Sequence, residues 1–453
     1  MKIKIKPEAN KIIHTLQKNG FEAYAVGGCV RNAVMGIEAK DWDICTDATP
    51  DRMKQIFSGY KTVDFGLKHG TLAVISGGEK FEVTTYRIDG TYSDNRHPEN
   101  VTFTDDLTLD LSRRDFTCNA MAYNDEDGLA DPFGGVKDIK RGLLRCVGNP
   151  DNRFNEDALR ILRGLRFASV YGFAPERKTS EAIKRNAYLL NRIAGERIHT
   201  ELDRILCGNN AEAVLREYRE VFAVVVPGLS ETFDFPQRTP HHRYDVWEHI
   251  VHSVGKIEPD AVLRMTMLLH DIGKPRACTV DRYGANHFKG HPVISTEMAR
   301  NILSRLKYSN EFSSECLLLI EYHDVRYSGS QKQIKRLLNK IGEREMRRLF
   351  KVQRADTLAQ SDYLRREKLG SIETARAQLD EIIANEKCFS LKQLEIKGGD
   401  LIGMGIPKGE RIGTILNTLL DEVIDEKIPN KKDVLIKRAK EIGAEAKSDA
   451  LSG

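Results

Sequence analysis

No stretch of the 453 residues approaches the roughly 20 consecutive apolar positions that a bilayer-crossing helix needs, so no membrane partner is expected. The chain also lacks low-complexity tracts and any fixed-period repeat, which excludes fibrous, disordered and solenoid classes. Its eight cysteines (Cys29, Cys45, Cys118, Cys146, Cys207, Cys278, Cys316, Cys388) are scattered singly, without a CxxC pair. That pattern argues against disulfides and a cysteine zinc site, and it reads the cysteines as small core residues. Neither sign of charge dominates: the net charge is +4, a mild bias toward a polyanionic partner. The opening MKIKIKPEANKIIHTLQKNG puts charges where an export signal needs an apolar core, so a cytoplasmic protein is expected. What is present, 40% hydrophobic and 30% charged residues, describes an ordinary globular chain long enough for several cores.

Up to about residue 145 the pattern is mixed α+β. YAVGGCV, DWDICT, TLAVIS and KFEVTTYR read as short strands, with NAVMG and PDRMKQIF as helical turns between them. From Asp151 onward the strand signals nearly vanish, and EDALRILRGLRFAS, ERIHTELDRIL and AEAVLREYREVF show helical spacing. Breaks fall at GLSETFDFPQRTP, which opens a second helical unit, and at IKGGDLIGMGIPKGE, which introduces a C-terminal tail.

The first chemical signal is GGCVRNAVMGIEAKDWDICTD. On a strand, Asp41 and Asp43 share one face, separated by roughly 6.6 Å of rise, so both carboxylates can converge on hard cations. Magnesium takes few protein ligands and completes its shell with substrate phosphates and water, so a sparse pair is sufficient. Glu82, on the neighbouring strand, is the candidate third acid. Gly27 and Gly28 allow close backbone approach, and a helix starting near Val30 would aim its free N–H groups at a phosphate. Arg31 adds a planar cation there. A DxD alone is as well explained by a solvated strand face; the glycine turn beside it favours a triphosphate site.

The second signal is NEDALRILRGLRFAS, where Asp157 and Arg160 are helix-face neighbours at i,i+3. One offers only acceptors and the other only donors. Cytosine and adenine share an amine donor beside a ring-nitrogen acceptor, whereas guanine and uracil present the reverse. Such a pair would accept C and A and reject G and U, because mismatched groups stay unpaired at about 1–3 kcal/mol each. A surface ion pair is the alternative for any isolated DxxR. Arg163 and Arg166 extend the row, and three arginines beside one carboxylate form an anion site for phosphates or a growing RNA end.

In order, AVGGCVRN with DWD, SRRDFTCNAMAYN, DPFGGVKDIKRGLLRCVGNP, NEDALRILRGLRF and GERIHTELDRIL closely resemble the motifs of bacterial-type tRNA nucleotidyltransferases, the CCA-adding enzymes, and their poly(A) polymerase relatives. The resemblance implies a polymerase β-like nucleotidyltransferase head over residues 1–145. A helical neck with base recognition over 146–230, an HD-type body over 231–375 and a helical tail over 376–453 would follow. It implies template-independent addition of CCA to the tRNA 3′ end from CTP and ATP, with Mg²⁺ as cofactor and no protein partner. Asp41 and Asp43 would hold the metals. Gly28, Arg31 and Arg114 would hold triphosphate and sugar, and Asp157, Arg160, Arg163 and Arg166 would form the nucleotide pocket. The family usually has aspartate where this chain has Asn32, which leaves a hydrogen-bonding role there but puts a charged one in doubt. DGTYSDNRHPENVTFTDDLTLDLS resembles the family's flexible loop, whose shortening marks enzymes that add only cytidines.

HRYDVWEHIVHSV, MLLHDIGKP, KGHPVIS and QRADTLAQ resemble the HD superfamily of metal-dependent phosphohydrolases. His249, His270, Asp271 and Asp356 match its ligand order for a divalent metal, and His291 and His323 could serve a second ion. A degenerate HD fold retained as an RNA-binding body is the competing reading. The basic runs QKQIKRLLNKIGEREMRRLFKVQR and NKKDVLIKRAKEI suit either RNA backbone or solvated helix faces. Two rivals to CCA addition remain: a poly(A) or A-only polymerase sharing all these motifs, and an HD phosphohydrolase whose head merely binds RNA.

Overall fold

The computed structural model describes residues 1–64, 66, 70–90, 100–385 and 389–449. These fall into two compact units, one of Met1–Ser230, Pro259–Ala261 and Ile302–Tyr308, the other of Glu231–Glu258, Val262–Asn301 and Ser309–Gly453. The span 231–375, read from sequence as one continuous body, therefore contributes two short segments to the first unit. They are tied in there, Tyr308 Oη donating to Asp203 Oδ1 at 2.6 Å and His199 Nδ1 lying 2.7 Å from Leu306 O.

The first unit opens with α1 (Pro7–Lys18), β1 (Ala23–Val26), α2 (Gly28–Val34), β2 (Asp43–Thr46), α3 (Pro50–Ile56), β3 (Lys61–Val63), β4 (Thr71–Ser76) and β5 (Glu79–Thr85). It continues with β6 (Arg87–Asp89), β7 (Val101–Phe103), α4 (Leu107–Ser112), β8 (Ala122–Asn124) and β9 (Gly128–Ala130). One seven-stranded sheet forms in the order β3-β4-β5-β2-β1-β8-β9, with β2 and β5 parallel and the other neighbours antiparallel. All four residues of β1 are buried because both faces of the sheet are covered. On one face Ile44, Phe81 and Val83 pack with Ile12, Leu16, Val30 and Met53 from the helices. On the other, Tyr24, Val26 and Cys45 pack with Tyr86 and Leu111. Alternation along the strands thus puts Asp43 and Glu82 on the second face, at the end where that core stops.

Helices follow: α5 (Gly135–Lys140), then β10 (Leu143–Leu144), α6 (Pro150–Glu156), α7 (Leu159–Tyr171), β11 (Ala174–Pro175), α8 (Arg177–Arg185), α9 (Gly195–Leu206), α10 (Ala211–Glu217) and α11 (Arg219–Val225). Gly208 lets the chain after α9 lie against α7, since a Cβ there would meet Ser169 Oγ at 2.2 Å.

The second unit contains α12 (Val246–Lys256), most of α13 (Ala261–Leu269), α14 (Lys274–Ala277), β12 (Thr279–Val280), β13 (Asn286–His287), α15 (His291–Arg305) up to Asn301, α16 (Asn310–Tyr322), α17 (Gln331–Ile341), α18 (Glu343–Ala359) and α19 (Arg365–Ala384). It ends with α20 (Gly398–Gly403), α21 (Glu410–Ile424) and α22 (Lys432–Asp449). The glycine-rich IKGGDLIGMGIPKGE is not a bare spacer: Ile396 and Leu401 join Ile415, Leu419, Leu420 and Leu435 in one apolar cluster. The architecture is α+β, a sheet-based head followed by helices. No helix among the described residues is long and apolar enough to cross a membrane.

The basic run in α17 and α18 is largely neutralised. Ile334, Leu338 and Ile341 face inward, while Arg336 pairs with Asp425, Arg344 and Arg348 with Glu315, Arg347 with Asp380, and Lys351 with Glu258. The seven described cysteines are free thiols, and Cys388 lies outside the described residues.

Candidate active site

Two clefts of ≈ 300 and ≈ 600 Å³ meet at Gly28, Asp43, Asn119 and Arg163. Asp43 is the first residue of β2, opposite Val26 of β1, and Ile44 beside it faces Val83 of β5. Asp41 lies two residues before the strand rather than in it, and both acids are exposed along the larger cleft. Burial pushes the Asp43 carboxyl up; Arg114 pulls it down, and the fields of Glu82 and Asp41 push it up further. Glu82 lines neither cleft, and its carboxylate is held by Lys80 at 2.9 Å. It acts on Asp43 through its field, from the neighbouring position on β5, where the parallel register pairs Ile44 with Val83.

The turn before α2 is built around Gly27, whose φ of 78° belongs to the left-handed region that glycine tolerates. Its N–H donates to Met121 O at 3.1 Å, and a Cβ would meet Arg114 Nη1 at 2.9 Å. The helix begins at Gly28, earlier than the start near Val30 that the sequence pattern indicated, and is seven residues long. Arg114 is steadied by the fully buried Asp110, which also receives Arg113 at 2.8 Å. Those arginines hold the Asp110 carboxyl below its usual range although burial opposes it.

Arg31 lies beside Gly28, its Nη2 3.7 Å from where a Cβ there would sit. Its guanidinium donates to Asn119 Oδ1 at 2.6 Å and Asn32 Oδ1 at 2.8 Å, and lies against the rings of Phe167 and Tyr171 at 5.0 and 4.9 Å. It lines the larger cleft only, as a brace between the turn and α7, not beside Gly27 and Arg114. Asn32 is thus an acceptor for Arg31, a role that needs no charge.

NEDALRILRGLRFAS is not one helix. Asp157, with φ −138° and ψ 104°, ends α6, and its Oδ1 accepts from Leu159 N at 3.1 Å as α7 starts. Asp157 and Arg160 remain neighbours across this break, but each has a different partner. Asp157 pairs with Arg197 of α9 at 2.9 Å, and Arg160 with Glu156 at 2.6 Å. Arg163 donates from Nε and Nη2 to Asp115 Oδ2 at 2.8 and 2.5 Å, and Asn119 Nδ2 donates to Asp115 Oδ1 at 2.9 Å. These donors hold Asp115 far below the usual carboxylate range despite its burial. Arg166 pairs with Glu201 at 3.0 Å and lines the larger cleft.

The smaller cleft therefore joins Gly28, Asp43 and Arg114 to Asp157, Arg160 and Arg163. The acidic strand and the arginine-bearing helix face one cavity. Sequence reasoning missed Asp115, Asn119 and Arg197. The first two sit in SRRDFTCNAMAYN and the third in GERIHTELDRIL, and membership of those motifs is the only local signal that marks them. The segment resembling a flexible loop is framed by β6, β7 and α4; its residues 91–99 lie outside the described residues.

A second constellation lies wholly in the other unit. His249 comes from α12, His270 and Asp271 follow α13, His291 opens α15, His323 caps α16 and Asp356 lies in the last turn of α18. Potential ligand atoms of His249, His270, Asp271 and Asp356 lie within 4.8 Å of one another, as do those of Asp271, His291 and His323. His270, His291 and His323 each turn Nδ1 to a backbone carbonyl, at 2.8, 2.8 and 2.7 Å. A carbonyl only accepts, so Nδ1 carries the hydrogen and Nε2 is presented as the lone-pair nitrogen, the orientation that metal-ligating histidines adopt. Nε2 of His291 and His323 are 3.1 Å apart, and those of His249 and His270 are 3.3 Å apart. Burial alone would lower His270, but Asp271 and Asp356 push it up to about 10. Neither carboxylate oxygen of the buried Asp271 has a conventional hydrogen bond, although Lys274 Nζ is 2.6 Å away.

The sheet order and the acidic strand edge are those of a polymerase-type nucleotidyltransferase head fold, and residues 23–145 match the family model described as Poly A polymerase head domain. Residues 172–232 match that of a probable RNA and SrmB-binding site of polymerase A, and residues 292–439 that of tRNA nucleotidyltransferase domain 2. A CCA-adding enzyme of Geobacillus stearothermophilus is 39% identical over 294 residues, covering 60% of this chain and 72% of the relative. One from Ligilactobacillus salivarius is 47% identical over 211 residues, covering 47% of this chain and 52% of the relative. The crystal structure of the Bacillus stearothermophilus CCA-adding enzyme in complex with CTP superposes with a TM-score of 0.71 at 27% identity, covering 98% of this chain and 100% of that one. The chain belongs to the CCA-adding enzyme family. In sequence, it spans only about half the length of the Ligilactobacillus relative it matches.

Proposed function

We propose that this protein adds CCA to, or repairs, the 3′ end of tRNA in the cytoplasm, using CTP and ATP without a template. The observation that supports the reading is the single cavity shared by Asp43, Arg114, Asp157 and Arg160. The triphosphate lies against the Gly27–Gly28 backbone and Arg114, while Asp157 and Arg160 meet the pairing edge of the base. Arg197 fixes the Asp157 carboxylate and Glu156 the Arg160 guanidinium, so each reading group is oriented before nucleotide arrives. The terminal 3′-oxygen of the RNA bonds to the α-phosphorus, the bond from that phosphorus to the bridging oxygen breaks, and pyrophosphate leaves. The hydroxyl proton passes to solvent.

Asp41 and Asp43 fit Mg²⁺. They are hard oxygen donors on an open cleft, and the acids crowding Asp43 have Arg114 as the cation opposing them. Bound there, the metal would neutralise phosphate charge and favour the ionised 3′-hydroxyl. Glu82 supports the pair through its field.

Incubation with tRNA lacking its last three nucleotides, with CTP, ATP or both, tests the reading. Products ending in CCA with both nucleotides, and in CC with CTP alone, are expected. A product extended by a single A or a long A tail would assign the chain to its polymerase relatives instead.

A second reading rests on the histidine cluster, an HD-type centre whose residues would hold divalent metal, with Asp271 common to both ligand groups. His249, His270 and Asp356 complete one site, and His291 and His323 contribute to the other. Nε2 atoms 3.1 and 3.3 Å apart need a proton or a metal cation between them, and the carboxylates of Asp271 and Asp356 beside them suit a divalent ion. Elemental analysis of the protein purified without chelator tests it, with two equivalents of metal expected and none overturning it.

A further inference from the structure

The smaller cleft accounts for one of the two substrates of nucleotidyl transfer. The larger one, ≈ 600 Å³, continues past Asp43 on the side of Asp41 and is walled by Lys40, Arg166, Tyr171 and Arg204. Cations in the smaller cleft are occupied: Arg160, Arg163 and Arg197 each have a carboxylate partner. In the larger cleft, Lys40 and Arg204 are exposed, and neither makes a side-chain hydrogen bond or ion pair among the described residues. They do not share a local origin. Lys40 immediately precedes Asp41 in the head, whereas Arg204 lies on α9, so the tertiary fold of one unit brings them to a common wall. Arg166 beside them has only Glu201, and the charges of Arg163 and Arg204 both press on it.

The geometry of the reaction gives this unneutralised charge a use. In phosphoryl transfer the attacking and leaving oxygens lie roughly in line through phosphorus. With the triphosphate in the smaller cleft and the acids at the junction, the RNA hydroxyl must approach from the other side of Asp43. A polynucleotide end arriving there brings one negative charge for each nucleotide, which the unpaired cations lining that cleft would meet.

We propose that the larger cleft is the seat of the RNA 3′-terminal nucleotides, in which Lys40 and Arg204 clamp backbone phosphates and so position the terminal hydroxyl at Asp43. The proposal rests on the nucleotidyltransferase reading above. Lys40 and Arg204 are positioning residues: they hold the primer and take no part in bond making. They read charge and not base identity, so they serve every round of addition equally, whatever nucleotide was added last.

The test uses the full chain, an RNA hairpin with a single-stranded 3′ end followed by fluorescence anisotropy, and CTP followed by equilibrium dialysis. In the K40E/R204E variant, hairpin affinity falls by roughly tenfold or more and the dependence of log affinity on log salt flattens, by about 1 for each phosphate that is no longer neutralised. CTP affinity stays within twofold of the parent. In turnover, KM for the RNA rises and KM for CTP does not. The K40R/R204K variant, which keeps both charges, retains hairpin binding. Unchanged hairpin affinity in K40E/R204E, an equal loss of CTP affinity, or failure of K40R/R204K to bind the hairpin each overturns the clamp. A parent protein that binds the hairpin but adds no nucleotide refutes the nucleotidyltransferase reading, while the two binding measurements still decide the clamp.

Discussion

Asp43 and Asp271 each collect charge around one aspartate, in opposite surroundings. Asp43 is exposed along a cleft, with Asp41 beside it and the field of Glu82 acting on it from β5. Asp271 is 1% exposed and ringed by histidine nitrogens drawn from several helices, three of them oriented through Nδ1 by carbonyls. In the proposed function the first arrangement is half a site, to be completed by phosphates that come and go with each turnover. The second is assembled before any ligand arrives, because buried imidazoles and carboxylates must satisfy one another. A residue set that binds substrate-borne metal can thus be sparse in sequence and open in space, whereas a resident metal requires a closed shell.

The comparison can be broken most severely at the acids. Replacing Asp41 and Asp43 together with alanine is expected to lower nucleotide incorporation by about a thousandfold or more, measured on tRNA lacking CCA, while metal retained by the second unit is unchanged. If incorporation persists, the open pair is not the centre. The H270A variant should lose about one equivalent of bound metal by elemental analysis, and H291A/H323A the other, each leaving CCA addition within about twofold; weakened metal sites typically lose 10–100-fold in affinity. Loss of addition along with metal would mean that the two sites are not independent.

Asp157→Ala sharpens the picture of the smaller cleft. Preference for CTP over UTP, read as a ratio of kcat/KM, should fall by roughly 10–100-fold, corresponding to about 1–3 kcal/mol of lost discrimination. Asp115→Ala removes the buried partner of Arg163 and is expected to destabilise the first unit by about 1–3 kcal/mol, seen as an earlier midpoint in urea unfolding. Asn32→Asp has the smallest effect. Asn32 already accepts from Arg31, so a charge there should raise stability by about 1 kcal/mol or less, measured in the same assay.

Much of the head was legible from local pattern. TLAVIS is a strand, KFEVTTYR is largely one, and DWDICT places its second aspartate on a strand edge, because alternation and turn glycines are local properties. The cavity uniting Asp43 with Asp157 and Arg160 was inferred from the chemistry the residues share. Partnerships were not legible. The DxxR spacing suggested one helix face, but Asp157 ends one helix and caps the next, a choice made by tertiary contact with Arg197. Arg31 looked like a phosphate ligand because it follows the glycines. Its contacts with Asn119, Phe167 and Tyr171, which are remote in sequence, were not legible. Glu82 was placed on the right strand, while its pairing with Lys80, two residues away on the same strand face, was not legible. The basic run in α17 and α18 suited RNA backbone or solvated faces alike in sequence, because its acidic partners lie in other segments.

The turn at Gly27 offers a way to stop the reaction without deleting any charged group. A methyl added there would strain the backbone and push into Arg114, so the alanine variant could retain both aspartates and every arginine yet fail to seat the triphosphate. Such a protein would be a useful trap, able to hold an RNA end still while nothing is added to it.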